Sequence, residues 1–339
     1  MKLRNKLISM MMVLALGLSI TACGKNASDA AALTEEKAKP AQEEKSGSEG
    51  KFPFTLTTQD DIEVTFTHVP ERVIAANANA GDQLMAMGLG DKIIGRAYTN
   101  SVINPEWNDE YLKIPELSET APSLEAILAQ EPDFIYGRSS AFSEKNNTEH
   151  ETLSGYDIMS LASIEGYTIG ADVDVVYEDF YNLGRIFDLE EKADEIVEEM
   201  KAQIEAAEKA VKDQETVKVF VYDMAQDGGA YTCGNNFTAK LIEHAGGKNI
   251  FSDMDKTWAN VSWEEVVERA PEVIVINNYG DTSLEQKISE LKENPALATV
   301  PAIVNDRIIS VNLCEVFASS MTGDTIEKFA KAFHPDCFE

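Results

Sequence analysis

The chain reads as an α/β protein of two similar lobes, each with a parallel-type sheet flanked by helices, bridged by one long α-helix. Two observations predict this. Val173, Val176, Phe180, Leu183 and Phe187 recur at alternating spacings of three and four, the stripe of an amphipathic helix. At ~1.5 Å per residue a helix over residues 172–188 runs about 24 Å, roughly the width of a small domain, as a strut between lobes requires. The flanks of this stretch also repeat each other. Ser123-Leu124-Glu125-Ala126-Ile127-Leu128-Ala129-Gln130-Glu131-Pro132-Asp133-Phe134-Ile135-Tyr136 precedes it, and Ser262-Trp263-Glu264-Glu265-Val266-Val267-Glu268-Arg269-Ala270-Pro271-Glu272-Val273-Ile274-Val275 follows it. Each copy reads as a Ser-capped helix, a proline stop and a buried strand.

Asp188 reads as the N-cap of a second helix, with Glu191 as its capping-box partner. Ala193, Ile196, Val197, Met200, Ile204, Ala207 and Val211 face inward along that helix. A weaker echo pairs residues 84–94 with 241–251. Two surface helices of one large domain are the alternative reading of the middle stretch. The matching order of several repeated elements favours two lobes, with residues 52–171 as the first, 172–188 as the bridge and 189–339 as the second.

Residues 1–22 have a basic start and an apolar run, the pattern of a secretory signal. They lead into Ser19-Ile20-Thr21-Ala22-Cys23-Gly24. Residues 23–51 are rich in Ala, Glu, Lys, Ser and Gly; lacking large apolar side chains, they read as a disordered tether. A short opening hairpin over residues 54–66 follows, then a buried strand at 70–76 that opens into Asn77-Ala78-Asn79. A helix at 82–87, a strand at 93–94 and a strand at 134–136 complete the first lobe, with 143–150 as a polar surface loop. The pattern restarts with a strand at 217–222, a glycine-bearing loop at 227–231 and a helix at 237–245. A loop at 252–260 carries Trp258, strands follow at 273–276 and before 311, and a closing helix covers 325–333. Strands alternating with helices indicate parallel sheets, whose ligands meet the C-terminal ends of the strands.

The 339 residues suffice for two ordinary cores, and 44% hydrophobic with 26% charged residues is usual for a soluble chain. The formal net charge of -30 argues against a nucleic-acid partner, which would require a basic face. No nucleophile elbow, phosphate-cradling loop or HExxH helix is present, so no catalytic residues are assigned. His68, His150, His244 and His334 are scattered, each reading as a surface or helix-end residue, and no metal site is assigned. Cys233, Cys314 and Cys337 allow one disulfide at most, or none.

Ligand contacts are sought where the strands open: Arg96, Tyr98 and Arg138 on the first lobe, and Tyr231, Trp258 and Tyr279 on the second. Guanidinium groups match anionic oxygens, and aromatic rings supply flat apolar area.

The residues resemble the substrate-binding lipoproteins of ABC importers for iron–siderophore complexes, haem and cobalamin. The resemblance rests on Pro70-Glu71-Arg72-Val73, Gly90-Asp91-Lys92-Ile93-Ile94-Gly95, Asn236-Phe237 with Gly246-Gly247-Lys248-Asn249-Ile250-Phe251, and Val261-Ser262-Trp263-Glu264. Pro301-Ala302-Ile303, Asn305-Asp306-Arg307-Ile308 and His334-Pro335-Asp336 add to it. It implies a ligand held between the lobes with slight closure, no cofactor, and a monomer that delivers to a permease dimer with its ATPase. A ferric siderophore is the first ligand expected, with cobalamin or haem behind it. Glu125 and Glu264, matching in the two repeats, are implied to meet arginines of the two permease subunits. The segment around Cys23 is similar to a bacterial lipobox, which implies a lipidated Cys23 and an anchor on the extracytoplasmic face of the cell membrane. A surface-anchored enzyme and a sensory or adhesion lipoprotein are the rival readings.

If Cys23 carries the anchor, Cys23→Ala releases the protein from the membrane fraction. Retention of the variant on membranes, measured by fractionation, would contradict the lipidation.

Overall fold

Strands of Val, Ile and Phe, apolar on both faces, fit only where helices cover both sides of a parallel sheet. The chain builds two such sheets. A computed structural model describes residues 51–99 and 101–338, so the leader, Cys23 and the tether up to residue 50 lie outside the described residues. The first half runs β1 (Phe54–Thr57), β2 (Glu63–Phe66), β3 (Val73–Ala75), α1 (Ala78–Ala86), β4 (Ile93–Ala97), α2 (Asn108–Tyr111), β5 (Glu116–Ser118), α3 (Leu124–Leu128), β6 (Phe134–Gly137), α4 (His150–Ser154) and β7 (Met159–Ala162). Its five-stranded sheet has the order β5-β4-β3-β6-β7, parallel throughout. The β1–β2 hairpin is antiparallel.

Two helices follow, α5 (Asp174–Phe187) and α6 (Glu190–Val211). The second half runs β8 (Val217–Tyr222), β9 (Met224–Gln226), β10 (Gly229–Cys233), α7 (Phe237–His244), β11 (Gly247–Asn249), β12 (Trp258–Val261), α8 (Trp263–Arg269), β13 (Val273–Asn277), α9 (Leu284–Glu293), α10 (Pro301–Val304), β14 (Ile308–Val311), α11 (Leu313–Val316) and α12 (Thr322–Phe333). Its main sheet has the order β11-β8-β13-β14 and is also parallel. The repeated helix–strand units are α3–β6 and α8–β13, each opened by a serine whose hydroxyl accepts an amide of the first turn.

Three local expectations change. Asp188 is not an N-cap: it closes α5 in the left-handed conformation at φ 59°, and Leu189 precedes α6 with no side-chain cap bond. Aspartate tolerates both roles, since its short polar side chain suits an N-cap and the left-handed region alike. The stretches read as loops around residues 227–231 and 252–260 contain β10 and the start of β12, which pair antiparallel in a second, three-stranded sheet β12-β10-β9. The stretch read as a surface loop at 143–150 ends inside the protein: His150, at a helix end as read, is buried at the start of α4 with Nδ1 2.7 Å from Ser160 Oγ. The cysteines Cys233, Cys314 and Cys337 are free thiols, the first two buried.

One apolar core runs through both sheets. It takes in Val73 and Phe134 from the first, Val219 and Val275 from the second, Phe180 and Leu183 of α5, Met200 and Ile204 of α6, and Phe329 of α12. The middle of the chain therefore acts as a helix pair, with α6 packed between α5 and α12.

A polar seam lies within this apolar junction. Asn79, Asp82 and Gln83 share one face of α1 and are all buried. Asn79 Nδ2 and Gln83 Nε2 donate to the Ala318 carbonyl at 3.1 and 2.9 Å. Asp82 accepts the amides of Ser320 and Asn104 at 2.7 and 3.1 Å and the Trp107 indole N–H at 3.1 Å. On α5, buried Asp179 accepts from Ser163 Oγ at 2.6 Å and the Ile164 amide at 3.0 Å, with Gln83 Nε2 at 3.5 Å.

Burial pushes the Asp179 carboxyl up from 3.8 to about 7. The folded state thus holds a proton on Asp179 at pH values where the unfolded chain has lost it, and rising pH costs stability between about 4 and 7. In denaturant titrations across this range, wild type should lose stability relative to Asp179→Asn as pH rises, with the difference levelling off above about 7. A difference curve independent of pH would contradict the assignment.

Candidate functional site

In an open parallel sheet the crevice opens where neighbouring strands send their connections to opposite sides. In the first sheet this point lies between β3 and β6. The chain leaves β3 at Asn77 and β6 at Arg138, and Asn77 Oδ1 accepts the Arg138 amide at 2.7 Å. The strands meet too closely here for a side chain: a Cβ on Gly137 would lie 2.9 Å from those of Ala76 and Ala141. Arg138 then turns its guanidinium into a sandwich. Its Nε and Nη2 donate to the two Glu165 oxygens at 3.0 and 2.9 Å, and its Cζ lies 3.9 Å from the centroid of the Phe317 ring. Guanidinium and carboxylate are shielded to 20% and 6% side-chain exposure, so solvent screens this pair little. Tyr98, just past β4 with φ 52°, donates its hydroxyl to the Ser140 carbonyl at 2.9 Å. Burial raises its phenol pKa.

The second sheet switches between β8 and β13, and the residues leaving those strands are bonded to each other. Asp223 accepts from Asn277 Nδ2 at 2.8 Å and from the Tyr279 hydroxyl at 2.6 Å. Lys287 reaches up from α9, 2% exposed, and donates to the carbonyls of Asp223 and Asn277 at 2.8 and 2.6 Å. Its ammonium also sits 4.7 Å from the Tyr279 ring centroid. Burial raises the pKa of Asp223 and lowers that of Lys287. Beside this cluster, Tyr231 of β10 stacks on Trp258 of β12, centroids 5.8 Å apart and planes 18° off parallel.

Between the lobes lie two hollows that share Arg138. One, about 340 Å³, is lined by Arg138, Glu165, Tyr167 and Ile169 from the first half and by Asn236, Phe237 and Trp258 from the second. The other holds about 30 Å³ and lies among Asn77, Asn79, Tyr98, Arg138, Cys314 and Phe317. A larger hollow of about 480 Å³ lies on the flank of the first half, between β2, α4 and β7. It is formed within one half, away from both switch points, so the interlobe pair is the better candidate.

Of the residues read from sequence, the structure brings Tyr98, Arg138 and Trp258 to the cleft. Tyr231 backs Trp258, and Tyr279 belongs to the Asp223 cluster; neither lines the two hollows. Arg96 does not reach them either. It is 8% exposed, donates Nε to the Ile114 carbonyl at 3.0 Å, and pairs with Glu116 at 3.1 Å. Glu165, Phe317, Asn77, Tyr167 and Ile169 were not foreseen. Of these, only Asn77 carried a usable signal, as the polar residue where a buried strand ends. Glu125 and Glu264 are both exposed, each the second residue of its helix, α3 and α8.

Comparison with known proteins agrees with this geometry. The sequence profile described as periplasmic binding protein matches residues 73–312. An uncharacterized ABC transporter substrate-binding lipoprotein, YvrC of Bacillus subtilis, is 22% identical, covering 88% of this chain and 92% of its own. A cobalamin-binding protein of Halobacterium salinarum is 24% identical, over 87% of this chain and 78% of its own. The crystal structure of an ABC-type Fe3+-hydroxamate transport system from Saccharomonospora viridis superposes with a TM-score of 0.70 at 27% identity, covering 84% of this chain and 99% of that one. The profile match over residues 73–312, most of the described chain, together with two parallel sheets joined by a helix pair, places the chain in the periplasmic binding protein family.

Proposed function

We propose that this chain is the substrate-binding component of an ABC importer, and that it captures a ferric siderophore between its lobes and delivers it to a membrane permease dimer with its ATPase. The carrying observation is the cleft itself. Arg138 at the first switch point and Tyr98 beside it line the two hollows together with aromatic surface from Trp258 and from Phe317, whose ring lies on the guanidinium. A ferric chelate needs both, donors toward its metal-bound oxygens and flat apolar area for its backbone. The 27% identical Fe3+-hydroxamate transport structure supports the same reading. Its relatives being binding proteins, the chain acts here by binding alone, as a monomer held outside the membrane by a lipid on Cys23.

Cobalamin is the second reading, favoured by the similarity to the cobalamin-binding protein of Halobacterium salinarum. Haem ranks behind it. Of the three tyrosines read from the sequence as site residues, only Tyr98 lines the hollows, and its hydroxyl is already bonded to the Ser140 carbonyl.

Native mass spectrometry of the protein mixed with a panel of ferric siderophores, haem and cobalamin separates these readings. Retention of a ferric siderophore is the expected result, and retention of cobalamin or haem alone would overturn it. Binding should quench tryptophan fluorescence. Trp258→Ala should weaken the complex by about 2 kcal/mol, the scale for losing a buried aromatic anchor.

Docking follows from the repeat. Glu125 and Glu264 project from equivalent first helical turns, one per lobe, and suit one arginine on each permease subunit. An acid there is also stabilised by the helix dipole, by ~0.3–1 kcal/mol, so structure alone gives it a role on either lobe. Charge reversal distinguishes the two roles. Glu125→Arg with Glu264→Arg should abolish uptake while ligand affinity, measured on the purified protein, stays near wild type. Normal uptake by the double variant would reduce both residues to helix-end stabilisers.

A further inference from the structure

Among the described residues that line the two interlobe hollows, Arg138 and Glu165 are the only formally charged ones. They neutralise each other through two hydrogen bonds of 3.0 and 2.9 Å. The fork of the guanidinium that would grip an anionic ligand bidentately is thus already filled by a carboxylate of the same lobe. Its face is covered by Phe317 at 3.9 Å. Glu165 is held as firmly: only 6% of its side chain is exposed, and Gly166 beside it accepts from Ser139 Oγ. Around this neutral cleft the rest of the chain carries a formal charge of -30.

We propose that Glu165 is a specificity-determining residue that sets the cleft against anionic ligands and selects chelates with no net negative charge. The ligand class is then an uncharged or cationic ferric chelate of the hydroxamate type rather than a trianionic ferric catecholate. This rests on the ferric-siderophore reading above and narrows it. The physical ground is desolvation. A trianion entering a shielded hollow surrenders its hydration and finds one cation, whose best donors are bound elsewhere, next to a carboxylate that repels it. An uncharged chelate meets no such cost. It can still accept from the donors of Arg138 that Glu165 leaves free, and lay its apolar parts on Trp258 and Ile169. Displacing Glu165 would free the fork, but would leave a buried carboxylate without its partner.

The test measures dissociation constants by tryptophan quenching for three ferric probes: a cationic trihydroxamate (ferrioxamine B), an uncharged one (ferrichrome) and a trianionic triscatecholate (ferric enterobactin). Wild type should bind at least one hydroxamate more tightly than the catecholate by about tenfold or more, the scale of one charge-assisted contact. Glu165→Gln should move the catecholate-to-hydroxamate affinity ratio toward the anion by about tenfold or more, and Arg138→Gln should move it the opposite way. Thermal melts establish that each variant is folded, and the wild-type ordering stands as a test even if one is not. Wild type that binds the catecholate as tightly as the hydroxamates, or a ratio that folded Glu165→Gln leaves in place, overturns this inference while leaving the siderophore receptor intact. Failure of wild type to bind any of the three, with cobalamin or haem bound instead, overturns both.

Discussion

The carboxylate of Asp82 holds the two halves of the molecule together. It is fully buried on α1 of the first half, and one of its three hydrogen bonds comes from the Ser320 amide, which belongs to the second. Removing a carboxylate from water is costly unless every lone pair finds a donor. Here two backbone amides and an indole N–H offset much of that cost, and burial still raises its pKa. The bond can persist only while the segment from Phe317 to Met321 stays docked on α1. Asn79 and Gln83 enforce the same docking through the Ala318 carbonyl. Opening this seam would break all three of these hydrogen bonds together.

The cleft inherits its width from that seam. Phe317 immediately precedes Ala318, so fixing the Ala318 carbonyl on α1 also fixes the ring against which Arg138 lies. Arg138 is set in turn by Asn77 and Glu165. The second face is stiffened separately: Lys287, buried beneath the ends of β8 and β13, ties together the two strands that carry Asp223 and Tyr279. Each half thus has a cross-strand polar bond at its switch point, Asn77 to Arg138 in one and Asn277 to Asp223 in the other. Each switch point is thus cross-tied by its own side chains, with no ligand needed to join the strands.

Much of this architecture was legible from period and punctuation. The strand–helix alternation, the repeated α3–β6 and α8–β13 units and the amphipathic α5 all follow from apolar spacing and from Ser and Pro at the ends. The antiparallel sheet was not, because β9 and β10 are short and separated by Gly228 at φ 79°, which reads as a loop until long-range pairing to β12 is known. The site was legible only in part. Arg96 and Tyr98 look alike as exits from one strand. Yet an irregularity in the β4–β5 register at Arg96/Ala97 and the left-handed turn at Tyr98 send the tyrosine to the cleft and leave the arginine inside its lobe. Glu165 lies in a single 3-10 turn and Phe317 just past the short α11, segments too short to show a period, and no local pattern marks them.

If the seam makes the two halves one body, its amides must be as protected as those of the sheets. Amide-resolved hydrogen exchange tests this directly. The account predicts that the Ser320 N–H exchanges only through global unfolding, as slowly as the central amides of β3 and β8, whether or not ligand is bound. Exchange of Ser320 at the rate of a free loop, with the sheet amides still protected, would show that the lobes part independently and would contradict the account.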